Sequence, residues 1–245
     1  MKDLVLDKDY KRGSRGKKVR AIQEWLSLHG FSTPVDGDFG PATDYAVREF
    51  QREKRLEVDG IVGEKTFNQL IMPITDVLRP IDSADKSLGE MVVLYAEQHL
   101  MQHPREIGGQ NKGPWVRLYM KGNEGPAWPW CAGFVSFILK QACESLNTRL
   151  PIKTSFSCDV LATNAKEKEI LLKESKITDK AQITTGSFFL VRRTPTDWVH
   201  TGIVIQADEG CFHTIEGNTN DEGSREGYEV CKRTRGYRKK DFVLI

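Results

Sequence analysis

The sequence predicts an α+β protein of two domains, a small three-helix bundle followed by a larger papain-like α+β domain with an antiparallel sheet. Apolar residues recur at helical spacing through the first 70 residues and again between residues 131 and 142. Between residues 199 and 205, apolar residues instead alternate along the chain, which is the pattern of a half-buried strand. These observations indicate helices in both parts of the chain and a sheet in the second part.

Composition and charge narrow the possible functions. The chain has 245 residues, of which 39% are hydrophobic, and a formal net charge of +2, so nucleic acid is not an expected partner. The basic run RGYRKK at residues 235–240 is interpreted as a solvated strand end. Because no 18-residue apolar run occurs, we expect no membrane insertion.

The cysteines and the first residues indicate synthesis in a reducing cytoplasm. Five cysteines, at spacings that suit neither a disulfide framework nor a zinc knuckle, favour free thiols. The stretch MKDLVLDKDYKRG lacks the apolar segment of a secretory signal, so no signal peptide is expected.

Three apolar stripes predict the three helices of the first domain. Their members are Val19, Ile22 and Leu26, then Ala42, Ala46, Val47 and Phe50, and finally Phe67 and Leu70.

A repeated pattern, Val-Asp-Gly-x-x-Gly-x-x-Thr, precedes the second and third stripes. It occurs as VDGDFGPAT from Val35 and as VDGIVGEKT from Val58. Pro41 suits the first turn of a helix, and Asp36 and Asp59 can accept hydrogen bonds from the amides of their own turns. The repeat therefore predicts a helix-starting turn that is used twice.

This pattern resembles the small three-helix peptidoglycan-binding domain of many cell-wall hydrolases, over roughly the first 70 residues. The resemblance implies that the two turns frame a shallow cleft for a fragment of peptidoglycan, with Asp36 and Asp59 as substrate-binding residues. On the residues alone, each aspartate is better explained as a residue that only caps and builds the bundle.

A proline-rich joint, IMPITDVLRPIDSAD, separates the two parts of the chain. We predict a peptidoglycan-binding domain at residues 1–75, a linker at 76–85 and a second domain at 86–245. The second domain is expected to begin with a helix from about Lys86 to Gln102.

The segment WPWCAGFVSFIL predicts a nucleophile. Cys131 stands just before an apolar helical stripe, so it lies at a helix N-terminus, where unpaired amides and the helix dipole stabilise a thiolate. The other cysteines fit structural roles, two in or near helices and two on strands: Cys143, Cys158, Cys211 and Cys231.

The segment DWVHTGIVIQADEGCFHTIEGNTN predicts a hairpin that carries a histidine. One register puts His200 opposite Glu216, and a register with Gly210 as a left-handed bulge residue puts it opposite Asn218. Both registers place all three side chains on one face, and His213 on the other.

Together these motifs resemble the CHAP family of cysteine amidohydrolases and peptidases, over roughly residues 88–245. The resemblance implies a papain-like arrangement with Cys131 as nucleophile, His200 as general base, Glu216 as the residue that orients the imidazole, and Asn218 as an auxiliary polar group. The backbone amide of Cys131 is available for an oxyanion hole.

The remaining expectations concern substrate and metal. Trp128 and Trp130, with Trp115, could line a substrate groove, although core packing suits Trp130 better. Since no His-x-x-Glu-His or His-Glu-x-x-His string occurs, no metal or other cofactor is expected.

The sequence thus predicts a wall-tethered enzyme that cleaves an amide bond of peptidoglycan, as amidase or endopeptidase. Without a signal peptide, it would reach the wall by another route, such as phage lysis or injection. The alternative is an inactive wall-binding adaptor.

Overall fold

A computed structural model confirms the α+β class. It describes residues 4–220 and 227–245. These residues form eight α-helices and one six-stranded antiparallel sheet, in two compact units. The first unit is the chain up to Leu78 with Arg105–Pro126, and the second is Arg79–Pro104 with Ala127–Ile245. None of the helices in this described part has the length and apolarity needed to cross a membrane.

Helices form at the three predicted stripes of the first domain, within the predicted Lys86–Gln102 and from Cys131 onward. In chain order they are α1 (Lys17–Leu28), α2 (Pro41–Glu53), α3 (Glu64–Leu70), α4 (Met72–Val77), α5 (Leu88–Leu100), α6 (Pro114–Tyr119), α7 (Cys131–Ser145) and α8 (Cys158–Glu167). Pro41 opens α2, as expected. The stripes of α1, α2 and α3 are buried except at Ala42, which is exposed because it lies on the outer side of the first turn of α2.

The first unit contains a segment that the sequence analysis places with the second domain. Residues 105–126, which include α6, pack on α1 within this unit. Trp115 meets Trp25 edge-on with ring centroids 6.1 Å apart, and Arg117 pairs with the buried Glu24 at 2.6 Å. A long loop rich in glycine carries no periodic signal that would show which helices its aromatic residues cover.

The second unit is built on the sheet. Its strands are β1 (Leu171–Leu172), β2 (Phe188–Thr194), β3 (Asp197–Ala207), β4 (Phe212–Thr219), β5 (Glu229–Arg235) and β6 (Lys240–Val243), in the order β1-β6-β2-β3-β4-β5. Helix α7 packs on β3 and β4, and α8 packs on β3. Helix α5 packs against α7 and begins at a capping box of Ser87 and Glu90.

The β3–β4 hairpin has one register shift, between Val204 and Gln206, so Ile205 is the extra residue. The expected left-handed bulge at Gly210 is wrong, because Gly210 is not among the residues with positive φ. On the far side of the shift, Ile203 pairs with Ile215.

Candidate active site

The predicted nucleophile begins a buried helix. Cys131 is the first residue of α7, directly after Trp130 as N-cap. The predicted apolar stripe of this helix is fully buried: Phe134, Val135, Ile138, Leu139 and Ala142. Since α7 packs on β3 and β4, its N-terminus and the Cys131 sulfur face the strands that carry the other predicted residues.

His200 and Glu216 lie together beside Cys131. His200 Nε2 is 2.8 Å from Glu216 Oε2. The imidazole also interacts with the Cys131 thiol, and each group shifts the pKa of the other. The His200 side chain is 16% exposed, whereas Glu216 is fully buried. Because Nε2 faces the carboxylate, Nδ1 is the ring nitrogen available to the thiol. The structure therefore brings three of the predicted residues, Cys131, His200 and Glu216, together at one site.

Two glycines make this close approach possible. Gly202 lies across from Glu216 once the Ile203 register is continued, and a Cβ there would be 2.7 Å from Glu216 Cγ. Glu216 is thus diagonal to His200 rather than directly opposite it, so the first predicted register is wrong. The same continued register puts Asn218 across from His200, as in the second predicted register, although the extra residue is Ile205. A Cβ on Gly217 would be 2.8 Å from the side chain of Trp130, so this glycine lets β4 pass the start of α7.

Glu216 has two further hydrogen-bond partners that the sequence analysis missed. Arg235, the last residue of β5, donates from Nε to Oε1 at 2.8 Å and from Nη2 to Oε2 at 2.6 Å. The Thr214 hydroxyl donates to Oε1 at 2.6 Å. Interpreting RGYRKK as a solvated strand end is therefore wrong for its first residue, because the β4–β5 pairing turns Arg235 onto the carboxylate.

These contacts shift the pKa values of Glu216, His200 and Cys131 in the directions that favour the charged form of each group. Burial alone would raise the pKa of Glu216, but the hydrogen bonds from Arg235 and His200 lower it to about 2. Burial would lower the pKa of His200, but its hydrogen bonds to Cys131 and Glu216 raise it to about 9. The hydrogen bond from Cys158, together with those from His200 and the Thr201 amide, holds the pKa of Cys131 well below its ordinary value. The site therefore favours a thiolate and imidazolium pair at neutral pH.

Asn218 contacts the backbone of Trp130, the residue before Cys131, and that of Gly227. Its Oδ1 accepts a hydrogen bond from the amide of Trp130 at 3.0 Å, and its Nδ2 donates to the carbonyl of Gly227 at 2.6 Å. Its backbone is left-handed, with φ 57°. Asn218 thereby holds the residue that precedes Cys131.

Cys158 is a second thiol at the site. The sequence analysis assigns it a structural role, but its Sγ lies 3.9 Å from the Sγ of Cys131. Both cysteines are first residues of helices, α8 and α7 respectively. The contact joins two segments 27 residues apart, and no local pattern in the sequence predicts it.

The predicted tryptophans have different surroundings. Trp130 is fully buried and lies against Gly217, which agrees with the core packing that the sequence analysis favours for it, while its role in substrate binding stays a prediction. Trp115 is buried within the first unit. Trp128 is partly exposed and makes an edge contact with Phe156 at 6.3 Å, so it keeps a surface for a ligand.

The two repeated turns are built around buried glutamines that the sequence analysis did not single out. In the first turn, Gln23 Nε2 donates to Asp36 Oδ1 at 2.8 Å and to the Thr43 hydroxyl at 3.0 Å, while Gln23 Oε1 accepts from the amide of Gly37. Asp36 Oδ1 also accepts from the Asp38 amide, as the predicted turn requires.

The second turn repeats these contacts. Gln51 Nε2 donates to Asp59 Oδ1 at 2.8 Å and to the Thr66 hydroxyl at 3.1 Å, and its Oε1 accepts from the Gly60 amide. Asp59 Oδ1 also accepts from the Ile61 amide. Each Val-Asp-Gly-x-x-Gly-x-x-Thr motif is thus a loop wrapped around one glutamine side chain, which explains why Asp, Gly and Thr recur together.

One group of described residues offers donor atoms for a metal. Asp208, Cys211 and His213 have donor atoms that all lie within 4.8 Å of one another, at the β3–β4 turn. Cys211 precedes β4 rather than lying on it. Such a donor set suits zinc, but it contains none of the residues that surround Cys131.

Comparison with known proteins assigns part of the first unit to a family. Residues 15–70 match the family described as "Putative peptidoglycan binding domain". This span contains both repeated turns and both buried glutamines, so the repeat and its core belong to a peptidoglycan-binding domain.

Several curated proteins that act on the bacterial wall are similar to part of the chain. The zinc D-Ala-D-Ala carboxypeptidase of Streptomyces albus G is 38% identical over 73 residues, 29% of this chain and 29% of that protein. The spore cortex-lytic enzyme of Bacillus cereus is 44% identical over 61 residues, 24% of each chain. The N-acetylmuramoyl-L-alanine amidase CwlL of Bacillus licheniformis is 38% identical over 63 residues, 24% of this chain and 18% of that one. The chain spans less than a third of the length of these relatives.

Proposed function

We propose that the protein is a peptidoglycan hydrolase that cleaves an amide bond of the wall with a Cys131 nucleophile, His200 as acid and base, and Glu216 as the orienting residue. The observation that carries the proposal is the buried site in which His200 lies 2.8 Å from Glu216 and interacts with the Cys131 thiol at the start of α7. The similarity of part of the chain to wall hydrolases supplies the substrate class.

The geometry supports acyl transfer. The Cys131 thiolate would attack the carbonyl carbon of the scissile amide, and amides at the start of α7, including that of Cys131, would stabilise the oxyanion. The His200 imidazolium would then protonate the leaving nitrogen, which leaves a thioester on Cys131. Neutral His200 would take a proton from water as the water hydrolyses this thioester, which restores the ion pair.

The peptidoglycan-binding domain would hold the enzyme on the polymer. A second attachment point raises the local concentration of stem peptides near Cys131, so it should favour intact sacculi over soluble fragments. Deleting the first 82 residues is a poor test of this role, because Arg105–Pro126 would lose the partners that it has within the first unit.

Point substitutions test the binding role more sharply. Asp36→Asn and Asp59→Asn keep an oxygen for the turn amides and remove the charge. Binding to purified sacculi should fall in these variants if the carboxylates contact the wall. If binding and thermal stability are both unchanged, the aspartate charges do not contact the wall, and the two residues serve only to build the turns.

The central test is the activity of Cys131→Ala on purified peptidoglycan. Turnover should fall by about 10⁴-fold or more while sacculus binding is retained. Cys143→Ala, at a buried cysteine outside the site, is the matched control and should remain active. Mass spectrometry of the released muropeptides would identify the bond that is cut, and a Cys131→Ala protein that still releases them would overturn the mechanism.

Two rival functions are separated by the same assay. A zinc-dependent hydrolase, which one relative's name suggests, would be inhibited by a chelator and restored by added zinc, whereas the cysteine mechanism predicts inhibition by an alkylating agent. An inactive adaptor would bind sacculi and release no muropeptide.

A further inference from the structure

We propose that Cys158 is a redox partner of Cys131 and that oxidation joins the two cysteines in a reversible disulfide. The proposal rests on the proposed function only for the role of Cys131 as nucleophile. The observation that supports the proposal is the distance of 3.9 Å between the two sulfur atoms, which places the thiols in contact.

The two cysteines are held together by contacts outside the sulfurs. The Ser136 hydroxyl on α7 donates to the carbonyl of Ser155 and accepts from the Ser155 amide, which ties the segment before α8 to α7. Asp159 Oδ1 accepts from the Trp198 amide at 2.6 Å, which ties the start of α8 to β3. Both sets of hydrogen bonds lie close in sequence to Cys158, so the surrounding backbone holds the two thiols near each other.

A disulfide bond is about 2 Å long, so the sulfurs must approach by about 2 Å. Rotation about χ1 is the side-chain motion by which each sulfur can move toward the other. Both residues are almost buried, with exposures of 4% for Cys131 and 7% for Cys158, so a small oxidant reaches the pair more easily than a bulky one.

The chemistry balances with a peroxide as oxidant. The Cys131 thiolate attacks one peroxide oxygen and becomes a sulfenic acid, and the other oxygen leaves as hydroxide and takes up a proton to form water. The Cys158 sulfur then attacks the Cys131 sulfur, and the sulfenic hydroxyl leaves with the Cys158 proton as a second water. Two thiols are oxidised to one disulfide, and a dithiol reductant reverses the reaction by exchange.

The consequence is protection of the nucleophile. A sulfenic acid that finds no second thiol is oxidised further to sulfinic and sulfonic acids, which a dithiol cannot reduce. With Cys158 in contact, the sulfenic acid is captured first. The oxidised enzyme is inactive, and reduction restores it.

The experiment treats the full-length protein with hydrogen peroxide, blocks the remaining thiols by alkylation and maps the cysteines by mass spectrometry. The expected product is a peptide pair linked through Cys131 and Cys158, with the loss of two hydrogen atoms from the intact mass. Cys131 found as a sulfinic acid, with Cys158 alkylated as a free thiol, would overturn the proposal. This readout does not depend on activity, so it is distinguishable from a failure of the proposed function.

A second arm compares recovery after dithiothreitol, with each variant scaled to its own untreated activity. Wild type and the control Cys143→Ala should recover, whereas Cys158→Ser should stay inactive with Cys131 overoxidised. If Cys158→Ser unfolds, Cys158→Ala, which keeps a small apolar side chain, replaces it. Equal recovery in wild type and the folded Cys158 variant would overturn the proposal.

Discussion

Arg235 binds both carboxylate oxygens of Glu216, and one of these oxygens also accepts a hydrogen bond from His200. The carboxylate is fully buried, and the Arg235 side chain is 22% exposed. A bidentate guanidinium fixes both the charge and the plane of a carboxylate. Arg235 therefore determines the direction from which Glu216 meets the imidazole, and in the proposed mechanism it would act through Glu216.

Arg235→Met should lower kcat more than it raises KM, because it loosens His200 without touching a substrate contact. It should also destabilise the protein by about 3 kcal/mol, since a buried carboxylate loses its strongest partner. Arg235→Lys should have an intermediate effect on kcat and on stability, because lysine keeps the positive charge but cannot make the bidentate contact of the guanidinium. Steady-state kinetics and thermal unfolding measure both effects. Arg238→Met, at an exposed arginine of the same basic run, is the control, and an equal effect there would contradict this role for Arg235.

The pH dependence of kcat/KM should reflect the ion pair at the site. The reactive form needs the imidazolium of His200, whose pKa is raised from 6.5 to about 9, so activity should fall as pH rises through about 9. Because the pKa of Cys131 lies well below its ordinary value, activity should already be high at neutral pH. A profile whose basic limb lies near 6.5 would show that His200 has no raised pKa.

Stability should follow the same shifts. The raised pKa of His200 contributes stability that is fully present below its ordinary value of 6.5 and is lost as pH rises through about 9. The lowered pKa of Glu216 contributes stability that is present above its ordinary value of 4.5 and is lost as pH falls through about 2. The melting temperature, measured across pH, should show both losses in the wild type, and Glu216→Gln should remove the acid one.

Substitutions of Glu216 and Asn218, two polar residues of β4, should distinguish the roles of these residues. Glu216→Gln should reduce kcat by about 10²-fold, because the imidazole keeps a hydrogen bond but its cation loses a counter-charge, and should move the basic limb to lower pH. Glu216→Ala should reduce kcat further. Turnover of one soluble muropeptide, with circular dichroism as folding control, measures these effects.

Asn218→Ala acts on a different contact. It removes the acceptor for the buried amide of Trp130, so it should destabilise the fold by about 1–3 kcal/mol and leave the pH profile in place. A shifted basic limb in Asn218→Ala, with an unshifted one in Glu216→Gln, would reverse the two roles.

The sequence predicts those parts of the site whose positions follow from the spacing of apolar residues within a single helix or strand. Helical spacing puts Cys131 at the start of α7, and strand alternation puts His200 and Glu216 on one face. The sequence does not predict Arg235 or Cys158, because their positions depend on the β4–β5 pairing and on how α8 meets α7. The bulge at Ile205 is not predicted for a related reason, because no glycine or proline marks that position in the sequence.

The repeated turns of the first unit give the last prediction. Gln23 and Gln51 each satisfy a loop amide and hold an aspartate and a threonine, and each is almost fully buried. Gln23→Ala or Gln51→Ala would leave several of these groups without partners, so each should lower the free energy of unfolding by about 1–3 kcal/mol. Sacculus binding should fall with the loss of folded protein, whereas turnover of a soluble muropeptide should fall less. Asn68→Ala, at an exposed amide on α3, is the control. Unfolding curves that coincide for wild type, Asn68→Ala and both glutamine variants would show that the glutamines do not hold the turns together.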